Sequence, residues 1–172
     1  MGKLHVYTGN GKGKTTCAMG LAARALGHDR KVVLVQFLKD DTSGELRSLE
    51  RLGALRVTRP VSGFVRNMTS GEKEMTAASQ TELAREAIQV IRKVKPDIVV
   101  LDELNVAMAL GMIPEEMVTQ LLDTALDCAE TIVTGRNASA SLIERGDYVT
   151  EFLEIRHPFH TEGLAAREGI EW

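Results

Sequence analysis

The sequence is poor in cysteine and has no long hydrophobic run. Its two cysteines, Cys17 and Cys128, lie far apart in apolar, helix-forming contexts, so we expect buried free thiols and neither a disulfide nor a metal pair. No apolar stretch approaches the length of a bilayer span, so we expect no membrane association. Met1–Tyr7 lacks the basic segment and apolar core of a secretory signal, and we therefore expect the protein to act in the cytoplasm.

A large excess of charge of one sign is also absent. The formal net charge of −3 gives no overall attraction to nucleic acid, so we expect no nucleic-acid partner, although a folded surface can still carry a local basic patch. Hydrophobic residues make up 44% of the chain and charged residues 26%, which is typical of a globular protein. On scaling grounds a chain of this length forms one domain, residues 1–172, and buries about two-thirds of its unfolded surface.

Apolar extended stretches alternate with stretches of helical periodicity along the chain. Lys31–Phe37 is a continuous β-branched run, as in a parallel strand that is covered on both faces. In Glu72–Val94 the apolar residues recur with the three-four spacing of a helix lying on a core. The predicted strands are Lys3–Thr8, Lys31–Phe37, Leu55–Thr58, Ile98–Leu101, Thr131–Thr134 and Tyr148–Ile155, and the predicted helices are Thr15–Leu26, Ser43–Leu52, Glu72–Val94, Pro114 to about Cys128, and Ser139–Arg145.

This alternation predicts an α/β domain built on a mostly parallel sheet of about six strands, with helices on both faces. In such sheets ligands bind at the carboxyl ends of the strands. Four segments directly follow predicted strands, so we expect them to converge on one rim of the sheet: Gly9–Thr15, Gln36–Lys39, Asp102-Glu103 and Gly135-Arg136.

The segment TGNGKGKTT, Thr8–Thr16, matches the phosphate-loop pattern G-x-x-x-x-G-K-[ST] at Gly13, Lys14 and Thr15, with Thr8 in place of the leading glycine. Its glycines permit backbone conformations in which successive N–H groups face a phosphate, and the following helix adds its positive end. Its lysines supply charge, and the Thr15 hydroxyl can bind a magnesium ion that bridges phosphates. We therefore predict a P-loop NTPase-like, three-layer domain that holds ATP at Gly9–Thr16.

The loop has two alternative interpretations. The first is a purely structural role as a glycine-rich turn between strand and helix with solvated lysines. A dinucleotide fingerprint fails, because G-x-G-x-x-G needs glycine where Lys14 stands and because no acidic residue ends the second strand at Gln36-Phe37.

Asp102 and Glu103 follow a buried strand and supply the carboxylates of a triphosphate site. Acidic residues after a strand are often merely structural or solvated, but here they accompany the loop. We predict a metal site formed by Thr15, Glu103 and Asp102, with Glu103 as the direct ligand and Asp102 behind it.

Several segments besides the loop resemble the P-loop cob(I)alamin (ATP:corrinoid) adenosyltransferases, of the cob(I)yrinic acid a,c-diamide adenosyltransferase type. The likeness runs nearly end to end and in the same order. GNGKGKTT is far more specific than the general phosphate-loop pattern, and the Gly-Ile-Glu-aromatic ending is unusual in other nucleotide hydrolases. The segments are GNGKGKTT (Gly9–Thr16), VQFLKD (Val35–Asp40), VVLDEL (Val99–Leu104), TGR (Thr134–Arg136), DYVTE (Asp147–Glu151) and the tail His157–Trp172.

The resemblance implies an α/β homodimeric enzyme that takes ATP, magnesium or manganese, and a reduced corrinoid supplied by an electron-donating reductase. It implies that the cobalt attacks the 5′-carbon of ATP and that triphosphate leaves intact, in cobalamin biosynthesis or salvage. The hard chemistry then belongs to the cobalt, so no serine triad or reactive cysteine is needed. The loop stabilises charge on the leaving triphosphate.

Site roles follow from the motif and the resemblance together. Lys14, Thr15 and Glu103 are the predicted catalytic residues. The resemblance places Asn10 near the ribose. Arg136 follows a strand and either touches the nucleotide or corrinoid or forms a structural ion pair. The predicted ATP-binding set is Gly9, Asn10, Gly11, Lys12, Gly13, Lys14, Thr15, Thr16 and Arg136.

The irregular stretch Arg59–Gly71 corresponds to the family's corrinoid-facing loop, where Gly63-Phe64 matches a Gly-aromatic pair. Relatives often carry a second aromatic residue two positions on, and this chain has Arg66 there. We predict that Phe64 and Arg66 contact the corrinoid; the alternative for Phe64 is a loop residue tucked into the core.

Three competing functions stay open on the sequence: another P-loop ATPase, a kinase for a small acceptor, and a non-catalytic carrier of corrinoid or nucleotide. ATPases and kinases release phosphate or diphosphates, whereas adenosyl transfer releases intact triphosphate.

Overall fold

The computed structural model describes residues 1–40 and 42–171. Trp172, which closes the ending quoted for the resemblance, lies outside the described residues, as does Asp41. The strands are β1 (Leu4–Thr8), β2 (Val32–Gln36), β3 (Leu55–Thr58), β4 (Ile98–Asp102), β5 (Glu130–Thr134) and β6 (Tyr148–Glu151). The helices are α1 (Lys14–Leu26), α2 (Gly44–Arg51), α3 (Ser70–Val94), α4 (Leu104–Ala109), α5 (Glu115–Leu126), α6 (Ala140–Arg145) and α7 (Pro158–Glu162), with a short 3-10 helix at Val65–Asn67.

The six strands form one sheet in the order β3-β2-β4-β5-β1-β6, and all five neighbouring pairs are parallel. Parallel pairing requires a crossover between strands, which the intervening helices supply. The predicted α/β class and the count of about six strands are confirmed. Because every strand runs the same way, the loops after β1, β2, β4 and β5 all lie at one edge of the sheet.

Helices cover both faces of this sheet, as the alternation of side chains along β4 shows. Val99 and Leu101 belong to an apolar cluster that includes α3 and α5, whereas Ile98 and Val100 belong to a second cluster with α1 and α2. Each fully buried Leu or Val contributes about 1.5–3 kcal/mol by leaving water. The result is the predicted three-layer arrangement.

Helix α3 begins two residues before the predicted Glu72 because of a capping box at its start. Thr69 Oγ1 accepts a hydrogen bond from the Glu72 N–H at 3.3 Å, and the Glu72 carboxylate accepts one from the Thr69 N–H at 2.7 Å. These two contacts satisfy backbone donors that the first turn leaves free. The irregular stretch, predicted to end at Gly71, therefore ends at Thr69, which fixes where the helix starts.

Three details differ from the sequence-based assignment. Helices α4 and α7 were not predicted, and β6 ends at Glu151 instead of Ile155. The strand ends there because its partner β1 ends at Thr8, which pairs with Glu151, so no neighbour remains to continue the ladder.

The prediction of buried cysteines is wrong: Cys17 and Cys128 are free thiols, as expected, but both are exposed. The buried face of α1 is formed by Ala18, Met19 and Ala22, and Cys17 lies off that stripe. Cys128 follows the last turn of α5. Helical context alone did not indicate which face each thiol occupies. Within the described residues, no helix is both long and apolar enough to cross a bilayer.

Candidate active site

The loop Gly9–Thr16 joins β1 to α1 and leaves the start of that helix open. Gly13 precedes the helix with φ of 114°, a left-handed conformation that favours glycine, and no side chain caps this end. The first backbone N–H groups of an α-helix have no partner within the helix and carry partial positive charge. This arrangement is an anion site in which backbone N–H groups and the helix dipole act together.

Two glycines of the loop are required by the chain that follows β6. The Gly11 N–H donates to the Phe152 carbonyl at 2.7 Å. A Cβ on Gly11 would come within 2.7 Å of the Leu153 carbonyl oxygen, and one on Gly9 within 2.4 Å of the Phe152 carbonyl oxygen. Because these neighbours are backbone atoms, they cannot turn aside as a side chain would. The segment after β6 therefore fixes the outer wall of the loop.

The two lysines of the loop have different partners. Lys14 is almost fully buried, and its Nζ donates to the carbonyl oxygens of Gly9 and Gly11, both at 2.8 Å. Burial lowers the pKa of Lys14, and the neighbouring charge of Arg136 lowers it further. Lys12 Nζ instead contacts Glu171 Oε1 in the tail at 2.9 Å. Lys14 lies inside the loop, and Lys12 lies where the tail meets it.

Asp102 is fully buried at the end of β4, and both of its carboxylate oxygens are occupied. Oδ1 accepts hydrogen bonds from Thr15 Oγ1 at 2.8 Å and Thr134 Oγ1 at 2.6 Å. Oδ2 accepts hydrogen bonds from Gln36 Nε2 at 3.0 Å and Lys39 Nζ at 2.8 Å. Four elements of the fold thus meet at one carboxylate. Asp102 links the phosphate loop to the ends of β2, β4 and β5.

Glu103 lies beside this centre with a less saturated carboxylate. Its Oε1 is 3.8 Å from Lys39 Nζ, and its backbone N–H donates to Thr134 Oγ1 at 3.0 Å. Its φ of 60° is left-handed, which is uncommon for a residue with a side chain and often marks functional sites. Of the Asp102 and Glu103 carboxylates, that of Glu103 is therefore the one with an oxygen still able to bind a ligand.

The ionisation of these groups follows from burial and charge. Burial alone raises the pKa of Asp102. The Lys39 charge and the hydrogen bonds from Lys39, Thr134 and Gln36 outweigh burial and keep that pKa below its usual range. Burial raises the pKa of Glu103, and the Asp102 charge adds to this, against the opposing Lys39. Burial lowers the pKa of Lys39, but Asp102 and Glu103 reverse the effect and raise it. Asp102 and Lys39 form a buried ion pair, and Glu103 is the more basic carboxyl.

The metal site predicted from the sequence can be tested against this donor set. The Thr15 hydroxyl, Asp102 and Glu103 converge on one cation, the Lys39 ammonium. Hard oxygen donors of this kind suit Mg²⁺ or Mn²⁺, and Mg²⁺ commonly keeps waters and substrate phosphates as its remaining ligands. Among residues 1–40 and 42–171, no group of three or more His, Cys, Asp or Glu side chains could form a metal cage. The residues fit a cation that shares its coordination with phosphate.

Arg136 lies at the same rim, after β5. Asn105 places this turn: its Nδ2 donates to the Gly135 carbonyl at 2.9 Å and to the Tyr7 carbonyl at 3.2 Å. The Arg136 side chain is exposed, and its charge acts on the pKa of both Lys14 and Glu103. No ion pair of Arg136 is found within the described part of the chain. The alternative of a structural ion pair therefore has no partner there, and the charge of Arg136 is near enough to Lys14 and Glu103 to affect their pKa values.

The stretch Arg59–Gly71 is held differently. The Phe64 ring is 69% exposed, which contradicts the alternative that it is tucked into the core. The Arg66 guanidinium lies over this ring, 5.2 Å from its centroid. Arg66 is thus paired with Phe64 in a cation–π contact.

The sequence of this chain also matches known proteins. The profile of a family described as "ATP:corrinoid adenosyltransferase BtuR/CobO/CobP" matches residues 1–172. This chain belongs to the ATP:corrinoid adenosyltransferase family. A corrinoid adenosyltransferase of Escherichia coli strain K12 is 35% identical over 171 residues, which cover 99% of this chain and 86% of that relative. One of Pseudomonas aeruginosa is 34% identical over 99% of this chain and 84% of the relative. Corrinoid adenosyltransferase CobA of Salmonella typhimurium is 32% identical over 99% and 86%.

Within this adenosyltransferase-family chain, the fold brings most of the predicted site residues together. The loop Gly9–Thr16, Asp102, Glu103 and Arg136 share the rim, and within the loop the side chains of Asn10 and Thr16 are exposed. Phe64 and Arg66 contact each other, and within the described residues no hydrogen bond or ion pair joins them to the loop Gly9–Thr16. The residues predicted to bind ATP therefore lie together at this rim.

Two residues of this adenosyltransferase-family site received no role in the sequence analysis, although Lys39 ends the segment Gln36–Lys39 that was expected at the rim. Lys39 follows β2 and pairs with Asp102, and a lone lysine after a strand carries no motif of its own. Gln80 is fully buried on α3, where its Oε1 accepts a hydrogen bond from the Leu38 N–H at 3.0 Å. A glutamine within the apolar stripe of α3, one turn before Leu83 and Ala84, was the signal that could have revealed it.

Proposed function

We propose that this chain transfers the 5′-deoxyadenosyl group of ATP to the cobalt of a reduced corrinoid, in cobalamin synthesis or salvage. The observation that carries the proposal is the meeting of the phosphate loop with Thr15, Asp102 and Glu103 in a chain of the ATP:corrinoid adenosyltransferase family. The names of its relatives support the same reaction.

The phosphate end of the site supplies electrostatic stabilisation. When Co(I) attacks the 5′-carbon, the bond to the triphosphate oxygen breaks and the electron pair leaves with triphosphate. The first N–H groups of α1 and the Lys14 ammonium lie where they can offset that charge. Magnesium or manganese would be held by Thr15 and Glu103, with Asp102 orienting Thr15, and would supply further charge at the phosphates. Lys12 and Arg136 add positive charge at the rim.

The nucleoside and corrinoid ends of the site rest on the family resemblance. By that resemblance we assign Asn10 to the ribose, and its side chain, between Gly9 and Gly11, is exposed. We assign Phe64 and Arg66 to the corrinoid because their exposed pair offers an apolar ring face and a cation to a large flat ligand with polar side groups.

The oligomeric state and the cellular location of the enzyme are part of the same proposal. The 172 residues act as one domain in the cytoplasm, and an electron-donating reductase supplies the reduced corrinoid. The chain forms a homodimer, consistent with the exposed apolar residues Tyr148, Leu153 and Ile155 on and after the edge strand β6. Light scattering that gives a mass of twice the 18.8 kDa chain would match this state.

An anaerobic assay with ATP, magnesium and chemically reduced cobalamin tests the reaction through the absorbance change of the cobalt. Lys14→Ala should lower the transfer rate at least about 100-fold, because one positioned donor to a developing anion contributes that much. Lys93→Ala is the control, because Lys93 is exposed on α3 away from the rim. A Lys14→Ala protein that is folded and transfers adenosyl at the unaltered rate would contradict the proposal.

A further inference from the structure

Lys39 occupies the centre of the oxygen set assigned to the metal. Its Nζ is 2.8 Å from Asp102 Oδ2, 3.2 Å from Thr15 Oγ1 and 3.8 Å from Glu103 Oε1. An ammonium at these distances uses the same oxygens that a divalent cation needs. A metal ion and the ammonium cannot share them, because both are cations and ligand bonds to Mg²⁺ are about 2.0–2.1 Å long.

The backbone holds Lys39 in this position at a cost in strain. The preceding Leu38 has φ of 53°, a left-handed conformation that is unfavourable for a residue with a bulky side chain. The buried Gln80 side chain accepts a hydrogen bond from the Leu38 N–H. Strain of this kind persists only where surrounding contacts over-determine it, and it concentrates at functional sites.

The same short segment is joined to the corrinoid-facing stretch. The Val61 N–H donates to the Lys39 carbonyl at 3.0 Å, and Gln80 Nε2 donates to the Arg59 carbonyl at 3.4 Å. A shift in the position of Lys39 is therefore transmitted to Arg59–Gly71 by these hydrogen bonds.

We propose that the Lys39 ammonium holds the place of the divalent cation, occupying the oxygens of Thr15, Asp102 and Glu103 until a metal that enters with the triphosphate displaces it. This inference rests on the proposed metal-dependent use of ATP. It makes free metal bind weakly, because the metal alone must remove a paired cation from a buried carboxylate. Metal brought by the triphosphate carries part of its own coordination and meets a smaller barrier.

The test measures binding of Mn²⁺ alone, without nucleotide, by the loss of the free Mn²⁺ electron paramagnetic resonance signal. Lys39→Met and Lys39→Gln remove the competing charge and should each lower the Kd for Mn²⁺ by at least about tenfold. Lys39→Gln keeps a donor for the buried Asp102 and so remains informative where Lys39→Met does not fold. Lys39→Arg keeps the charge, and Lys93→Met removes an exposed lysine; both should bind Mn²⁺ as the unaltered protein does.

A double variant locates the gained site. Adding Glu103→Gln to Lys39→Gln should abolish the gain, because the carboxylate that receives the metal is then neutral. A folded Lys39→Gln protein whose Mn²⁺ affinity is unchanged, or a gain that persists in the double variant, would overturn the role of Lys39. Failure of the proposed function is a separate result: the unaltered protein would then bind Mn²⁺ and ATP without transferring adenosyl.

Discussion

The phosphate loop and the stretch Arg59–Gly71 are built in opposite ways. In the loop, backbone contacts set each position: Gly11 donates to the Phe152 carbonyl, and Lys14 is buried against two loop carbonyls. In the stretch Arg59–Gly71, Phe64 is mostly exposed and its ring contacts the Arg66 guanidinium. The first region is held in place by its backbone, and the second presents exposed side chains.

This contrast separates two kinds of mutational effect. Changes in the loop should damage stability and nucleotide binding together, because the same backbone contacts serve both. Changes at the exposed Phe64 and Arg66 should alter corrinoid use and leave folding intact, because little packing depends on these side chains.

The largest effect is expected for Gly11→Ala. The added Cβ would meet the Leu153 carbonyl oxygen at 2.7 Å, so the loop or the segment after β6 must shift. Overpacking against backbone costs about 1–3 kcal/mol of unfolding free energy. We expect a lower thermal midpoint and loss of most ATP binding, measured by calorimetry and nucleotide titration.

Gly20→Ala is the matched control for this substitution. Gly20 lies inside α1, and nothing stands within 4 Å of an added Cβ. Alanine in a helix interior is favoured over glycine by about 0.5–1 kcal/mol. Gly20→Ala should therefore be neutral or stabilising; a Gly11→Ala protein as stable as Gly20→Ala would break the claim that the loop is backbone-limited.

An intermediate effect is expected for Phe64→Ala. Loss of an aromatic face from a ligand contact costs roughly tenfold in the corrinoid KM or in kcat, while the Kd for ATP and the thermal midpoint stay unchanged. Phe159→Ala is the control, since Phe159 is similarly exposed in the tail. Steady-state kinetics with varied corrinoid measure both. Equal losses in the two variants would show that Phe64 has no special role.

The smallest effect is expected where the tail touches the loop. Arg167 and Lys12 hold the Glu171 carboxylate, and their hydrogen bonds lower the pKa of Glu171 to about 2. Glu171→Gln should free Lys12 for phosphate and tighten ATP binding by about twofold, as exposed ion pairs are weak. Glu168→Gln, an exposed neighbour in the tail, is the control for isothermal titration. Weaker ATP binding in Glu171→Gln would mean that the tail supports the loop and does not compete with phosphate.

The same contrast explains what the sequence could predict. Glycine spacing and strand-end carboxylates are local signals, so Gly9–Thr16 and Asp102-Glu103 were found from the sequence. Alternating apolar runs gave the α/β class and the approximate strand count. The strand order was not accessible, because which strands pair depends on packing between distant segments.

The residues that received no role from the sequence act through distant contacts. Lys39 matters because it reaches Asp102, 63 positions away, and Gln80 because it accepts from Leu38, 42 positions away. No pattern within either segment records the partner. The exposure of Cys17 was likewise missed, since it depends on which face of α1 lies on the sheet.

The most direct test of the account follows the phosphorus during turnover. In an anaerobic reaction with ATP and reduced cobalamin, phosphorus-31 NMR should show one intact triphosphate for each corrinoid adenosylated, because the attack is on carbon and the loop holds the three phosphates as one leaving group. Orthophosphate or diphosphate formed as the primary product in step with adenosylation would contradict it.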